Sequence, residues 1–194
     1  MRVFVVYAHP SETSFGAALH ARALSALRAR GHEVDDCDLY AEGFDPLLTR
    51  EDILSYNNTS TNRRRVVAYV DRLLAANALL LIYPVWNEGF PALLKGFLDR
   101  VFLPGVSFTK EPDGAVKPAL ININKLGTVC TYGAGRLVTM MMGDPPRRVV
   151  KRLLRAMTGH HIRCDYLALY GMDRATPKTR TSFLDQVARV FGEW

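Results

Sequence analysis

Two short runs of unbroken apolar residues constrain this chain more than anything else in it: VFVVY inside residues 2–8 and ALLLIY at 78–83. Neither alternates with polar residues, so neither fits a strand with one wet face. Both read as strands buried on both sides, the condition of a parallel sheet with helices over each face. The stretches between supply the helices. Residues 14–30 carry Phe15, Leu19, Ala23 and Leu27 on one stripe, with Arg22, Arg28 and Arg30 off it and Gly31 as the stop. Residues 33–39, EVDDCDL, form a more polar strand that reads as an edge. Residues 40–62 read as irregular and polar. A helix is expected over 63–76, a short one over 91–102 with Pro91 near its start, and a hairpin or excursion over 104–118. Residues 126–131 (LGTVCT) form the next strand and 144–157 a basic helix opened by Asp144 and Pro145 as cap and first turn. The last strand is 162–170 (IRCDYLALY), and an amphipathic helix over 177–191 closes the chain. Strands alternating with helices specify an α/β, three-layer fold, with five strands in the order 2-1-3-4-5. The ligand crevice is expected where the strand order reverses, beside the first and third strands.

At 194 residues the chain is long enough for one domain over 1–194. Its three cysteines, Cys37, Cys130 and Cys164, are odd in number and form no C-x-x-C pair, which suits a reducing compartment. The first apolar run meets His9 and Pro10 too soon for a signal peptide, and no run approaches about 18 apolar residues. A soluble cytoplasmic protein, not embedded in a membrane, is expected. The net charge of +6 is unevenly spread. Arg136, Arg147, Arg148, Lys151, Arg152 and Arg155 face only Asp144 within residues 136–155. That reads as a solvated helix face or as an attractor of anionic ligands such as a nicotinamide phosphate. No nucleic-acid motif accompanies the charge, so no nucleic-acid partner is expected. His160 and His161 begin a strand and would point to opposite faces, so no metal site is expected there. Cys130, inside a buried strand, reads as core.

Three loops follow carboxyl ends of expected central strands, where open α/β sheets bind ligands. The first, HPSETSF, places hydroxyls and free N–H groups of Thr13 and Ser14 at a helix start, a receptive place for phosphate. Thr13 reads equally as a plain cap, and His9 would hydrogen-bond a phosphate or brace the turn. The loop has neither the lysine of a P-loop nor the glycines of a dinucleotide fingerprint. The second loop, YPVWNEGFPALLKGF, turns at Pro84. Trp86 and Phe90 are either core or an aromatic surface for a flat ligand, with Asn87 and Gly89 keeping backbone accessible. Lys95 and Asp99, one helical turn apart, read as a surface ion pair. The third loop, TYGAGR, has Gly133 and Gly135 for close backbone approach, where N–H groups would stabilise developing negative charge.

Taken in order, HPSETSFGAAL, YPVWNEGFPALLKGFLDRVF and TVCTYGAG resemble the NAD(P)H:quinone oxidoreductase family, flavodoxin-like and FAD-dependent. The resemblance covers nearly the whole chain. Its most specific part is F-P-A-x-L-K-G-x-x-D-R-V-F, and LALYGMDRATP is similar to a bacterial branch. The family implies a flavodoxin-like three-layer sandwich, a homodimer, FAD with FMN as the alternative, and NAD(P)H as co-substrate. It implies ping-pong transfer of an electron pair to a quinone-like acceptor. By motif match, His9, Thr13, Ser14 and Phe15 would hold the phosphate end. Pro84, Val85, Trp86 and Asn87 would line the ring, with Thr131, Tyr132 and Gly133 on its other edge. Trp86, Asn87, Tyr132 and Gly133 would then stand nearest the reacting atoms, so they are the catalytic candidates. The chain departs from the family at Asn87 and Glu88, which replace two usual aromatics. Glu88 puts a carboxylate near the acceptor pocket. Val138 and Asp144 stand where animal members carry a Tyr and a His that assist the reduced flavin. The alternatives are a regulatory subunit of a potassium-efflux system and an electron carrier, the latter disfavoured by the basic charge.

Overall fold

The computed structural model describes residues 1–159 and 162–194, so the His160 and His161 pair lies outside the described residues. The chain runs β1 (Arg2–Tyr7), α1 (Phe15–Ala29), β2 (Glu33–Asp38), α2 (Arg50–Ser55), α3 (Val67–Ala75), β3 (Ala78–Val85) and α4 (Ala92–Val101). It continues through β4 (Phe108–Lys110), β5 (Val116–Pro118), β6 (Lys125–Tyr132), α5 (Arg136–Met141), α6 (Pro145–Arg148), α7 (Arg155–Thr158), β7 (Arg163–Leu169) and α8 (Pro177–Gly192). Among the described residues one sheet has the order β2-β1-β3-β6-β7, parallel throughout, and β4 pairs antiparallel with β5 apart from it. With that hairpin set aside, the order is the expected 2-1-3-4-5.

Side-chain alternation builds the layers. From β1 and β3, Val3, Val5, Tyr7, Leu80 and Ile82 pack with Leu19 and Leu27 of α1 and Phe183, Val187 and Phe191 of α8. Phe4, Val6, Leu79 and Leu81 pack on the other face with Val70 and Leu73 of α3 and Leu94 and Phe97 of α4. Burying one such side chain stabilises by roughly 1.5–3 kcal/mol. Covering both faces therefore demands apolar residues at every position, which is why these two strands do not alternate.

The edge strand β2 is tied down by charge instead. Arg2 and Arg72 each donate to Asp35 at 2.8 Å, and Arg72 also donates to Glu42 and to the Asp36 carbonyl. Burial pushes the Asp35 carboxyl up, but hydrogen bonds from Arg72 and Arg2 outweigh it and hold the group below its ordinary value.

Four segments differ from the sequence pattern. Ser14, not Thr13, caps α1: its hydroxyl accepts from the Ala17 N–H at 3.0 Å and donates to the Ser11 carbonyl at 2.8 Å. Residues 40–62 are not wholly irregular, because Thr49 and Asp52 form a reciprocal capping box at the start of α2. That helix buries no residue, so no apolar stripe announced it. The expected helix over 63–76 opens as a tight 3-10 turn, Arg64–Val66, before α3. The expected helix over 144–157 runs without interruption from Pro145 to Thr158 but takes π-type hydrogen bonding at Val149–Leu154, between α6 and α7, and α5 precedes it where none was expected. Asp144 stands at the cap position of α6 with a left-handed φ of 45° and no capping bond.

Among the described residues, no helix is long and apolar enough to cross a membrane. Cys37, Cys130 and Cys164 are free thiols, and burial pushes the Cys130 thiol up to about 12, as expected of a core residue.

Candidate functional site

The crevice arises from unequal strand lengths. The last paired residues of β1 and β3 are Tyr7 and Ile82, whereas β3 and β6 stay paired as far as Val85 and Tyr132. Residues 83–85 thus run past β1, and the gap beside them opens into a crevice of about 770 Å³. That is within the usual range of about 300–1,000 Å³ for small-molecule sites. Loops after four strands wall it: His9, Ser14, Phe15 and Gly16 after β1; Pro84 through Glu88 at the end of β3; Thr131 through Ala134 at the end of β6; and Met172 and Asp173 after β7. Each expected binding residue lies on this crevice except Thr13, whose hydroxyl stands 3.3 Å from that of Ser11.

At one end stands the start of α1. The amides of Phe15 and Gly16 have no carbonyl one turn back, so they are free donors at the positive end of the helix dipole. Gly16 lacks a Cβ that would come within 3.2 Å of the His9 ring, so glycine lets the imidazole lie against the helix start. Burial lowers the His9 pKa. His9 Nδ1 accepts from the Ser11 N–H at 3.0 Å, which puts the proton of the neutral ring on Nε2 as one more donor.

Trp86 is 43% exposed, too open for a core residue, and its ring centre lies 6.0 Å from that of His9. It offers a flat apolar face beside the polar helix start. Phe90 belongs elsewhere: it packs edge-on against Tyr83 and lines a separate apolar groove rather than the crevice. Lys95 and Asp99 form the expected ion pair at 2.6 Å, on that groove.

The third wall is braced from behind. Tyr132 is buried, and its hydroxyl donates to Asp144 Oδ1 and meets the Tyr166 hydroxyl, both at 2.7 Å. Tyr170 stacks on Tyr132 with centres 4.6 Å apart, donates to Asp144 Oδ2 at 3.1 Å and accepts from Arg147 at 3.3 Å. Burial first, then the neighbouring Cys130, raises the Tyr132 pKa, so the phenol keeps its proton. The Tyr132 side chain therefore has no free polar group for a ligand. Arg147, expected on a solvated face, lies over the Tyr166 ring instead, while Arg136, Arg148, Lys151 and Arg152 are exposed.

The reading of the three loops missed Gly16, Met172 and Asp173. The last two follow the carboxyl end of the final strand, the same positional signal that marked the other loops.

A parallel sheet in this order, with a polar crevice where the order reverses, defines a doubly wound α/β protein, a class whose ligand sites lie at strand ends. The chain belongs to the family described as having a flavodoxin-like fold, whose model matches residues 1–189. Over 155 residues it is 34% identical to NAD(P)H dehydrogenase (quinone) 1 of Rattus norvegicus, covering 72% of this chain and 56% of that one. It is 32% identical over 147 residues to an uncharacterized NAD(P)H oxidoreductase, YcaK, of Escherichia coli K12, covering 73% and 69%. The chain spans 56% and 55% of the lengths of the rat relative and a Haemophilus influenzae relative. The NAD(P)H:quinone oxidoreductase of Methanothermobacter marburgensis has a similar structure, with a TM-score of 0.83 and 25% identity over 100% of this chain and 96% of the other.

Proposed function

We propose that this chain is a flavin-dependent NAD(P)H oxidoreductase that reduces quinone-like acceptors by two electrons. The balanced reaction takes NAD(P)H, one proton from solvent and a quinone to NAD(P)⁺ and a hydroquinone. One observation carries the reading: a single crevice joins a donor-rich helix start to an exposed tryptophan plane and a glycine-lined strand end. A phosphate tail, a flat ring and the polar rim of that ring need those three surfaces together.

When bound, the flavin supplies the redox chemistry, accepting a hydride from the nicotinamide and passing the electron pair to the acceptor. The chain's own residues hold and orient. The Phe15 and Gly16 amides, the Ser14 cap and His9 Nε2–H would grip the phosphate end, with Thr13 acting through its contact to Ser11. Pro84, Val85, Trp86 and Asn87 would line the ring. The backbone of Thr131, Tyr132 and Gly133 would face its polar edge, with Gly133 leaving room for N–H donors where negative charge grows. Trp86, Asn87, Tyr132 through its backbone, and Gly133 stand nearest the reacting atoms in this arrangement. Donor and acceptor would use this crevice in turn, which is the ping-pong order.

FAD is the proposed flavin and FMN the alternative. The whole chain acts as one flavin-binding domain in a cytoplasmic homodimer, a location that the free thiols suit. The dimer is supported by an apolar groove of about 850 Å³ lined by Ile53, Phe90, Leu98, Phe102 and Leu153, with Ile53 and Leu153 more than half exposed. Denaturing the pure protein, identifying the released flavin by chromatography and assaying NADH and NADPH with menadione tests the reading. A yellow protein that releases FAD and reduces menadione is expected. A colourless protein that takes up neither FAD nor FMN overturns the proposal.

A further inference from the structure

The crevice carries a charge pattern opposite to that of the whole molecule. The protein has a net charge of +6, yet among the described residues Glu88 and Asp173 line the crevice and no Lys or Arg does.

Glu88 occupies its place against conformational preference. Trp86 and Gly89 exchange backbone hydrogen bonds of 3.1 and 2.9 Å across residues 87–88, and Asn87 and Glu88 have φ values of 49° and 54°. Two left-handed residues in succession make the tight hairpin turn that favours asparagine followed by glycine. A Cβ at the second position crowds the backbone. In addition, Glu88 Oε2 is shut off from solvent and has no hydrogen-bond partner. An acceptor desolvated without a donor is unfavourable for the chain by itself. Local rules broken without internal compensation cluster at functional sites. Across the loop that follows β6, Asp173 Oδ2 lies 2.9 Å from where a Cβ on Gly133 would stand. Glycine at 133 thus admits a second carboxylate to the same crevice.

We propose that Glu88, with Asp173 on the same crevice, makes that crevice choose its electron acceptor by charge. It takes neutral and cationic aromatic acceptors and turns away sulfonated and carboxylated ones. This rests on the flavin-dependent reduction proposed above and names the acceptor class for the same crevice. Unit charges a few ångströms apart in a partly enclosed site shift affinity by about tenfold or more, enough to decide between otherwise equal acceptors.

Calorimetric titration of the flavin-loaded protein with three naphthalenes of similar shape reads this without turnover. The probes are neutral 2-naphthol, anionic naphthalene-2-sulfonate and cationic trimethyl(2-naphthyl)ammonium. The cation is expected to bind about tenfold or more tightly than the sulfonate. Glu88→Gln should shrink that ratio by about tenfold, Asp173→Asn by less, and Glu88→Asp should keep most of it. Glu88→Gly should lose the ratio while raising Tm by about 2–4 °C as the turn relaxes. Reoxidation of the NADH-reduced protein by a quinone sulfonate and by its uncharged parent gives a second reading, with Glu88→Gln favouring the sulfonate relative to the parent. Equal binding of cation and sulfonate by the unaltered protein overturns the proposal. So does a ratio unmoved in a Glu88→Gln protein whose flavin spectrum and Tm are intact. Failure to load flavin is seen before any naphthalene is added, and it overturns the proposed function itself.

Discussion

The crevice at the strand ends and the apolar groove beside it are close in size, about 770 and 850 Å³, and unlike in every other respect. The turn after β3 divides them. Trp86, Asn87 and Glu88 face the crevice, while Gly89 and Phe90 face the groove. The crevice is walled by free amides, hydroxyls, an imidazole and two carboxylates held at strand ends. The groove is walled by Leu48, Ile53, Leu98, Phe102, Val149 and Met157 on helices and connecting segments. Volume therefore says little about function here. Directional donors around a flat surface suit a small polar ligand with an aromatic ring, whereas undirected apolar area suits another apolar surface.

Charging the groove gives the largest expected effect. In the double variant Ile53→Asp and Leu153→Asp, each aspartate would be desolvated on dimerisation without a partner. Dimer dissociation is expected to strengthen by about a hundredfold, or roughly 2.7 kcal/mol. Sedimentation across a concentration series checks it, and an unaltered protein that sediments as a monomer throughout would end the assignment of the groove.

Next is the brace behind the crevice. Asp144→Ala leaves the hydroxyls of Tyr132 and Tyr170 without their buried acceptor, at an expected cost of about 2–3 kcal/mol in urea unfolding. Asp144→Asn keeps an acceptor oxygen and should lose about half as much. A loss equal in both variants would show that the carboxylate's charge, rather than its acceptor geometry, holds the wall.

Ser14→Ala removes the cap of α1 and should lower stability by about 1 kcal/mol. It should also weaken FMN uptake by about tenfold while moving riboflavin, which lacks the phosphate, far less. Fluorescence-quenching titrations with both flavins make that comparison, and equal losses would place the phosphate away from the helix start.

The smallest expected effect is a pH dependence. Burial holds the folded-state pKa of His9 below its ordinary 6.5. Just below pH 6.5 the unfolded chain binds more protons at this residue than the folded one, so stability rises with pH there. Its contribution is complete above 6.5 and is lost as pH falls through the folded value. Melting temperatures between pH 7 and pH 5 should show a shallow decline that His9→Gln reduces. His32 is lowered in the same sense, again mainly by burial, and adds to the same trend.

Much of this architecture was legible beforehand because burial writes itself into apolar periodicity. The runs VFVVY and ALLLIY lacked polar residues because helices cover both faces, and the charged EVDDCD strand proved to be the edge bound by Arg2 and Arg72. Three loops that wall the crevice were marked by position, each after a strand. What stayed hidden was chosen by neighbours distant in sequence. Asp144 looked like a helix cap, but in the folded chain Tyr132 and Tyr170 claim its carboxylate. Phe90 looked like a partner of Trp86, but the turn at 87–88 sends the two residues to different cavities.

The layering, the strand order and the set of loops that gather at one end of the sheet were written in the residue order, because these follow from local pattern and from the handedness of parallel connections. Which way individual side chains of those loops turn was settled by the folded chain, since that depends on a buried tyrosine network, a left-handed turn and glycines that admit close neighbours. Residue pattern carries the first kind of information along the chain. The second kind exists only once segments far apart in sequence have come into contact.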